Sequence, residues 1–233
     1  MMAKGADPDW EVVTVRPSDP NATSDYLDQY GRRLKFANKT VEMLLTTGYN
    51  VHKSQIADLP EWAKREHWDI EGLSNMDGRM DLTQLQGMIR KALAERFGLK
   101  LHREQREMGV YALTVAKGGP KLTESASDPN GRVEQHPREG PGWHMELMKN
   151  ATMGDLALIL EFRSDRPIVD QTGLKGRYDF QLKWLTDDNH AGDPDAPPGL
   201  FTAIEEQLGL KLEAKRAPAD VLVVDKVERP GAN

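Results

Sequence analysis

The chain contains no cysteine, and this absence excludes several kinds of site. Without thiols there is no disulfide framework, no thiol nucleophile and no cysteine-based zinc or iron–sulfur centre. No apolar run approaches the roughly 18 residues that span a bilayer. The first residues, MMAKGADPDW, also lack the apolar segment of a secretory signal. The sequence therefore predicts neither a membrane span nor a signal peptide in the chain as given.

An excess of basic residues is absent as well. The 233 residues include 31 Lys and Arg against 37 Asp and Glu, which gives a net charge of −6 with both signs interspersed. A nucleic-acid-binding protein needs a clustered basic face, so no nucleic-acid partner is predicted. Hydrophobic residues make up 38% of the chain and charged residues 29%. This composition is typical of a globular protein with one large domain or two small ones.

The motifs of common enzyme classes are also missing. None of the six histidines forms an HExxH or HxH pair, and no GxSxG elbow, GxxxxGK[ST] loop or strand-flanked GxGxxG occurs. Such motifs place metal ligands, a nucleophile or phosphate-binding backbone at the spacing that their chemistry requires. The sequence therefore predicts no cofactor and no metal.

Four residues are candidates for acid–base catalysis by a metal-independent hydrolase: His102, Glu104, Asp170 and Asp179. His102 and Glu104 lie two residues apart on a predicted strand and therefore face the same side. This arrangement suits an acid–base pair and equally a solvent-facing polar strand. Asp170 follows a short β-branched run and suits a turn, in which its carboxylate accepts backbone N–H groups.

Asp179 has a counterpart in Asp69, because each follows an aromatic residue on a predicted strand. An acid pair is one interpretation of the two, and a carboxylate on the polar face of each strand is the simpler one. A later acidic loop offers oxygen ligands for calcium, but its spacing fits no EF-hand, so a solvated loop is favoured. Its acidic residues are Asp187, Asp188, Asp193 and Asp195.

Residues 166–184, RPIVDQTGLKGRYDFQLKW, predict a β-hairpin with one apolar face, because a β-branched pair and an alternating strand flank a turn with two glycines. Residues 118–142 are rich in proline, glycine, serine and charge, and predict a flexible linker or loop. Residues 1–9 predict a disordered tail. The predicted halves are thus 10–117 and 143–233.

The best predicted helix runs from Thr83 to Phe97, with a capping box formed by Thr83 and Gln86 and a stop at Gly98. Leu93 and Phe97 lie on its apolar face.

The two halves resemble one another. FGLKL at 97–101 matches LGLKL at 208–212, an offset of 111 residues, and the preceding helices align. Within one residue, the same offset aligns Thr40 with Thr152 and residues 68–70 with 178–180. The sequence therefore predicts an α+β fold of two tandem related halves, an internal duplication in which each half packs two helices on a mostly antiparallel sheet.

Four blocks together resemble the soil-associated paralogous family expanded in Acidobacteria, a domain of unknown function. They are WEVVTVRPSDP, LKLHREQREMGVYALTVAKGGPKL, RPIVDQTGLKGRYDFQLKW and LFTAIEEQLGLKLEAKRAPADVLVVDKVERP. The resemblance runs from about Trp10 to the C-terminus. Members usually carry an export signal before the first block, and related domains are fused behind antibiotic-sensor-type membrane metallopeptidases. The resemblance implies a periplasmic or secreted location and brings no catalytic residues.

These observations favour a non-catalytic, extracytoplasmic binding or sensory module. Its expected ligand is a small molecule, a glycan or a peptide, and its expected state is a monomer or homodimer. Two alternatives stay open. One is hydrolysis of an ester or glycoside bond through the four candidate residues, and the other is a structural protein that associates with itself through a sheet edge.

Overall fold

The computed structural model of the protein describes residues 2–3, 5–129, 131, 133–186 and 196–231. Over these ranges the fold is mixed α+β, with mostly antiparallel sheets. The α-helices are α1 (Val41–Tyr49), α2 (Glu61–Arg65), α3 (Leu82–Arg96), α4 (Met153–Glu161) and α5 (Leu200–Ala203), which continues into a π-helical turn, Ile204–Leu208. Among the described helices, none is long and apolar enough to cross a membrane.

The strands alternate with these helices along the chain. They are β1 (Trp10–Pro17), β2 (Tyr26–Tyr30), β3 (Arg33–Lys39), β4 (Ile56–Ala57), β5 (Trp68–Ser74), β6 (Lys100–Val115), β7 (Thr123–Glu124), β8 (Glu134–Gly140), β9 (Trp143–Ala151), β10 (Ile168–Asp170), β11 (Tyr178–Leu185) and β12 (Leu210–Lys226).

The chain divides into two compact units. Unit 1 comprises Met1–Arg106 with Asp220–Asn233, and unit 2 comprises Glu107–Ala219. This division differs from the predicted halves, because both boundaries fall inside strands, β6 and β12. The end of β12 belongs to unit 1, where Leu222 lies opposite Ile56 of the parallel strand β4.

Unit 1 is built on an antiparallel sheet with the order β1-β5-β3-β2. The inner face of the sheet buries Leu34, Phe36 and Ile70 in a core shared with α1 and α3. α1 and α3 approach closely at Gly48, where an added Cβ would lie 2.9 Å from Ile89 Cγ2. The absence of a side chain at this glycine therefore permits the close packing of the two helices.

The capping box of α3 lies two residues before the predicted one of Thr83 and Gln86. Its N-cap is Asp81, whose carboxylate accepts a hydrogen bond from Gln84 N, while the Gln84 side chain accepts one from Asp81 N. An aspartate caps as well as a threonine, and the Gln84 amide also donates to Ala3 O and Ala6 O. The predicted stop is confirmed, since Gly98 has a φ of +58°.

The first residues are packed against unit 1, in contrast to the predicted disordered tail at 1–9. Met2 is buried, and its N–H donates to Arg79 O at 2.8 Å. Lys91 Nζ donates to Pro8 O at 2.7 Å and pairs with Asp7. Hydrogen bonds to the rest of unit 1 therefore hold this polar segment in place, and its composition does not reveal those bonds.

Unit 2 has a second antiparallel sheet, ordered β7-β11-β9-β8. Its core takes residues from α4, from α5 with the π-helical turn, and from the inner face of β11. The buried strand residues are Tyr178, Phe180, Leu182 and Trp184, as their alternation predicts. Thr152 caps α4 in a capping box with Asp155, also as predicted.

The predicted hairpin over 166–184 is wrong in its pairing. β10 and β11 both form, but β10 pairs in parallel with β6, with Ile168 opposite Tyr111. β11 pairs instead with β9 and β7. The turn between β10 and β11 thus connects two different sheets, because the buried Ile168 packs with the core beside β6.

Residues 118–142 are not the continuous linker that their composition predicts. They contain β7 and β8, and β8 pairs with β9 along its whole length. The side chains of β8 are almost all exposed. Its order comes from backbone hydrogen bonds, which composition does not report.

The core of α3 gives a first test. Leu93 is 0% exposed, so Leu93→Ala should reduce the free energy of unfolding in urea by about 2–5 kcal/mol through lost burial and a residual cavity. Leu82 lies on the same helix and is 55% exposed, so Leu82→Ala is a matched control with an expected change of about 0.5 kcal/mol or less. Equal losses for the two variants would contradict the observed burial.

Candidate functional site

Asp170 is a turn residue. Its carboxylate accepts hydrogen bonds from Thr172 N at 2.9 Å and Thr172 Oγ1 at 2.8 Å. Thr172 Oγ1 in turn accepts one from Leu174 N at 3.1 Å. These bonds form the Asx- and Thr-type turns that the sequence suggests, and they occupy the carboxylate in ordering the chain after β10.

Asp179 and Asp69 each accept a hydrogen bond from the backbone N–H of an asparagine in their own unit. Asp179 accepts a hydrogen bond from Asn150 N at 2.9 Å, and Asp69 accepts one from Asn38 N at 3.0 Å. Both asparagines are left-handed, with φ of +57° and +56°. The bond from Asn150, followed by one from Ser125, holds the pKa of Asp179 below its ordinary value. Asp179 is therefore an ionised acceptor for a turn.

Burial acts to raise the pKa of Asp69, but the bonds from Asn38 N and Ser18 Oγ, together with Arg16, lower it overall. Asp69 is thus also held as an anion. The two aspartates belong to different units, and each stabilises the bend between a strand and the following helix.

His102 and Glu104 do lie together, on β6 in unit 1. His102 Nε2 is 3.0 Å from Glu104 Oε1, and His102 Nδ1 is 2.9 Å from Asp225 Oδ1 on β12. Arg106 Nε donates to Glu104 Oε2 at 2.7 Å. The bond to Glu104, then the bond to Asp225, raises the pKa of His102. Both ring nitrogens are thus occupied by carboxylates on an exposed surface, which leaves neither nitrogen directed at a substrate.

The four predicted candidates are divided between the two units. His102 and Glu104 belong to unit 1, and Asp170 and Asp179 belong to unit 2. In the described ranges no group of three or more His, Asp or Glu side chains is arranged to hold a metal ion. The acidic loop with Asp187, Asp188, Asp193 and Asp195 lies outside the residues that the structure describes, and so does His190.

Unit 2 contains a buried polar cluster that no motif of the sequence predicts. His144 and Glu146 on β9 lie opposite Trp184 and Leu182 of β11 and share their inward-facing side. The two side chains are only 6% and 7% exposed. His144 Nε2 is 2.8 Å from Glu146 Oε1, and His144 Nδ1 is 2.9 Å from Glu139 Oε1. Each ring nitrogen of His144 thus lies within hydrogen-bond distance of a carboxylate.

Three neighbouring side chains contact these residues. Gln135 Nε2 donates to Glu146 Oε2 at 3.1 Å, and the Trp184 ring lies 4.6 Å from the His144 ring between centroids. Arg163 approaches the more exposed Glu139 at 3.5 Å. We call Gln135, Glu139, His144, Glu146 and Arg163 the His144 cluster.

A comparison of the two sheets shows why Glu146 is unusual. It lies four residues before Asn150, whereas Leu34, which is fully buried, lies four residues before Asn38. The 40-to-152 alignment of the sequence already pairs these positions, so a carboxylate in a core position was the signal that could have revealed the cluster. Buried carboxylates are rare unless they are paired, so Glu146 is the unusual residue of the two.

A second feature lies on the outer face of the sheet in unit 1. β2 directs Tyr26, Asp28 and Tyr30 to one side, because alternate side chains of a strand share a face. Asp28 lies opposite Lys35, and Tyr30 opposite Arg33, on β3. We call the surface formed by Tyr26, Asp28, Tyr30, Arg33, Lys35 and Glu71 the tyrosine face; these residues line an open depression of about 340 Å³.

The tyrosine face exposes aromatic surface beside ordered charges. Tyr30 is 85% exposed and Tyr26 45%. Lys35 Nζ lies 5.5 Å from the Tyr26 ring centroid, and the hydrogen bond to Tyr26 raises the pKa of Lys35. Arg33 forms an ion pair with Glu71. The sequence does not predict this face, because the side chains of β2 are almost all exposed and leave no buried alternation to identify a strand.

A larger groove of about 570 Å³ lies in unit 2. Its Lys121 donates to Glu206 O at 2.7 Å, and its Lys211 pairs with Glu213 at 2.8 Å. Phe201 in the same groove packs edge-on against Tyr111, with 5.2 Å between the ring centroids. Phe201 is 49% exposed, whereas Tyr30 is 85% exposed, so the tyrosine face is the better candidate for a ligand.

The carboxylates around His102 predict its titration. Because its pKa is raised in the folded protein, the histidine contributes stability that is present below its unfolded pKa and is lost as the pH rises through the folded pKa. NMR titration should give His102 a pKa above 6.5, and Glu104→Gln or Asp225→Asn should lower it. The matched control is Asp220→Asn, since Asp220 bonds Gln105 and not His102. An equal fall in all three variants would show a general charge effect instead.

The His144 cluster predicts strong energetic coupling. Either His144→Leu or Glu146→Leu leaves a buried hydrogen-bonding group without one of its partners and should reduce the free energy of unfolding by about 1–3 kcal/mol. The double variant should lose less than the sum of the two single losses, because neither side of this bond is then left unpaired. Urea denaturation measures all three, with Glu134→Leu on the exposed side of β8 as control. A double variant with the sum of the single losses would show that the two residues act independently.

No curated protein and no solved structure matches the chain. One family model does match, over residues 42–227, which include most of α1, both boundaries between the units and all of β12. The chain therefore belongs to the family described as proteins of unknown function, DUF3738.

Proposed function

We propose that the protein is a non-catalytic, extracytoplasmic binding or sensory module, and that the tyrosine face is its ligand site. The observation that carries the proposal is the pair of exposed tyrosines on β2 beside the charged rows of β3 and β5. Aromatic rings exposed on a rigid sheet provide contact area with little loss of side-chain entropy on binding. The location rests on the resemblance to the soil-associated family of Acidobacteria.

The candidate catalytic groups support the same proposal through their bonds. A general base needs an atom within reach of a substrate proton. Asp170 and Asp179 instead accept bonds from the backbone and from neighbouring hydroxyl groups, and both nitrogens of His102 face carboxylates. These groups serve the fold and leave binding as the favoured activity.

We further propose that the scaffold arose by internal duplication. Each unit has a strand that ends at a left-handed asparagine, Asn38 or Asn150, followed by a threonine N-cap and a nine-residue helix. In each, an aspartate on the next long strand accepts the asparagine N–H. Two copies of one scaffold can diverge, with the tyrosine face in the first copy and the His144 cluster in the second.

One observation favours the alternative of a hydrolase. The His144 cluster places an imidazole between two carboxylates, a combination that can move protons. Its His144 and Glu146 are nearly inaccessible, however, which disfavours contact with a substrate.

The test is to measure binding and hydrolysis on the same purified protein. Calorimetry against glycans, peptides and small molecules should give a ligand whose affinity falls about tenfold or more in Tyr30→Ala. Phe162→Ala is the matched control, because Phe162 is also exposed, at 75%, but lies in unit 2. Chromogenic esters and glycosides should not be cleaved.

Two outcomes would contradict the proposal. One is hydrolysis that Asp170→Asn, Asp179→Asn, His102→Gln or Glu104→Gln reduces by orders of magnitude without loss of stability. The other is a concentration-dependent dimer in light scattering that Tyr30→Ala dissociates, since the exposed face would then serve self-association.

A further inference from the structure

We infer that the tyrosine face binds an uncharged oligosaccharide. This inference rests on the proposed binding function and names the chemical class of its ligand. Its basis is the arrangement of side chains in rows across the four strands of the sheet in unit 1.

The first row combines one aromatic and two aliphatic side chains with one arginine. Tyr30 lies opposite Arg33, Arg33 opposite Leu73, and Leu73 opposite Val12, so that the row crosses β2, β3, β5 and β1. Leu73 is 39% exposed and Val12 50%. Single exposed aliphatic residues are ordinary, but a tyrosine ring with 85% exposure offers a free aromatic surface at the end of the row. The C–H faces of sugar rings stack on such aromatic rings.

The second row is polar and alternates in charge. Asp28 lies opposite Lys35, Lys35 opposite Glu71, and Glu71 opposite Thr14. A hydroxyl group both donates and accepts hydrogen bonds, so it can bridge a carboxylate and an ammonium group that stand side by side. A row of this kind can therefore bind the hydroxyl rim of a sugar.

The balance of charge argues for a neutral ligand. The cations on the outer face are Arg16, Arg33 and Lys35, and its anions are Asp28, Asp69 and Glu71. Arg16 pairs with Asp69 at 3.5 Å, Arg33 pairs with Glu71, and Lys35 lies opposite Asp28. A phosphate or an acidic glycan would need unpaired cations, and a cationic ligand would need unpaired anions.

The spacing of the tyrosines argues for a chain of sugars. Tyr26 and Tyr30 are four residues apart on one strand, which places their Cα atoms about 13 Å apart. This separation exceeds the width of one sugar ring. A ligand that contacts both tyrosines is therefore an oligosaccharide that runs along β2.

The experiment is native electrophoresis of the full chain in gels that contain soluble polysaccharides. The neutral probes are xylan-free β-glucan, galactomannan and dextran, and the anionic probes are polygalacturonate and heparin. At least one neutral polymer should retard the wild-type protein, and calorimetry with its oligosaccharides should give an affinity that changes less than about twofold between 0.05 and 0.5 M NaCl, because ion pairing makes little contribution.

The variants separate stacking from folding. Tyr30→Ala and Tyr26→Ala should each weaken binding about tenfold or more, and Tyr30→Phe should retain most of it because the ring remains. Phe162→Ala should bind like the wild type. Circular dichroism and melting temperature verify that each variant is folded.

The remaining outcomes overturn the inference in distinguishable ways. Binding only to anionic polymers, with a steep dependence on salt, would replace the ligand class and leave the binding function in place. Retardation by neutral polymers that Tyr30→Ala and Tyr26→Ala do not affect would move the site elsewhere. Binding of a peptide or small molecule, with no glycan bound, would refute the glycan while supporting a binding module. No binding to any member of the panels would overturn both.

Discussion

Each unit depends on one asparagine N–H that has no hydrogen-bond partner in the strand pairing of its sheet. At Asn38 and Asn150 the chain turns into a left-handed conformation just before the threonine that caps the next helix. The register of the flanking strands shifts at this point, so the asparagine N–H has no partner in the ladder. An aspartate on the neighbouring strand accepts it. An unsatisfied buried N–H would cost free energy comparable to a lost hydrogen bond, so this carboxylate fixes where the strand ends and the helix begins.

This constraint explains why conspicuous aspartates need not be catalytic. Asp69 and Asp179 have lowered pKa values, a property that often marks active sites. Here the two pKa values are lowered by backbone and hydroxyl donors around a turn. The His144 cluster shows the opposite case, because Glu146 occupies a position at which the other unit has a leucine and no turn requires a carboxylate there. A buried polar group in place of an available apolar one is the stronger indication that a site has been selected.

Much of the helical core could be predicted from the sequence, because burial and helical spacing are coupled. Leu93, Phe97, Ile204 and Leu208 are all fully buried, and Thr152 caps its helix. Pairing between strands was harder to predict, because alternation identifies a strand and its faces but not its neighbour. This is why β10 and β11 are evident in the sequence, whereas their pairing with β6 and β9 is not.

The candidate sites were missed for different physical reasons. β2 has its tyrosines on the solvent side, so its pattern of apolar and polar residues is opposite to that of a core strand and looks like a loop. β8 has hardly any buried side chain and is held by its backbone, which residue types do not encode. His102 and Glu104 were placed together correctly, but Asp225, which decides the state of the histidine, comes from a strand 123 residues later in the chain.

The composition of β8 has one more consequence, for the behaviour of the protein at high concentration. β8 stands at the end of its sheet and carries Pro137, which has no N–H to offer to an added strand, between His136 and Arg138. Proline and charge are the devices by which edge strands avoid pairing with other molecules. β2 ends the β1-β5-β3-β2 sheet of unit 1 with a single charged residue, Asp28, and no proline, so its edge is less protected than that of β8. The strand that carries the tyrosines is thus also the place where ligand occupancy and aggregation would compete for the same residues.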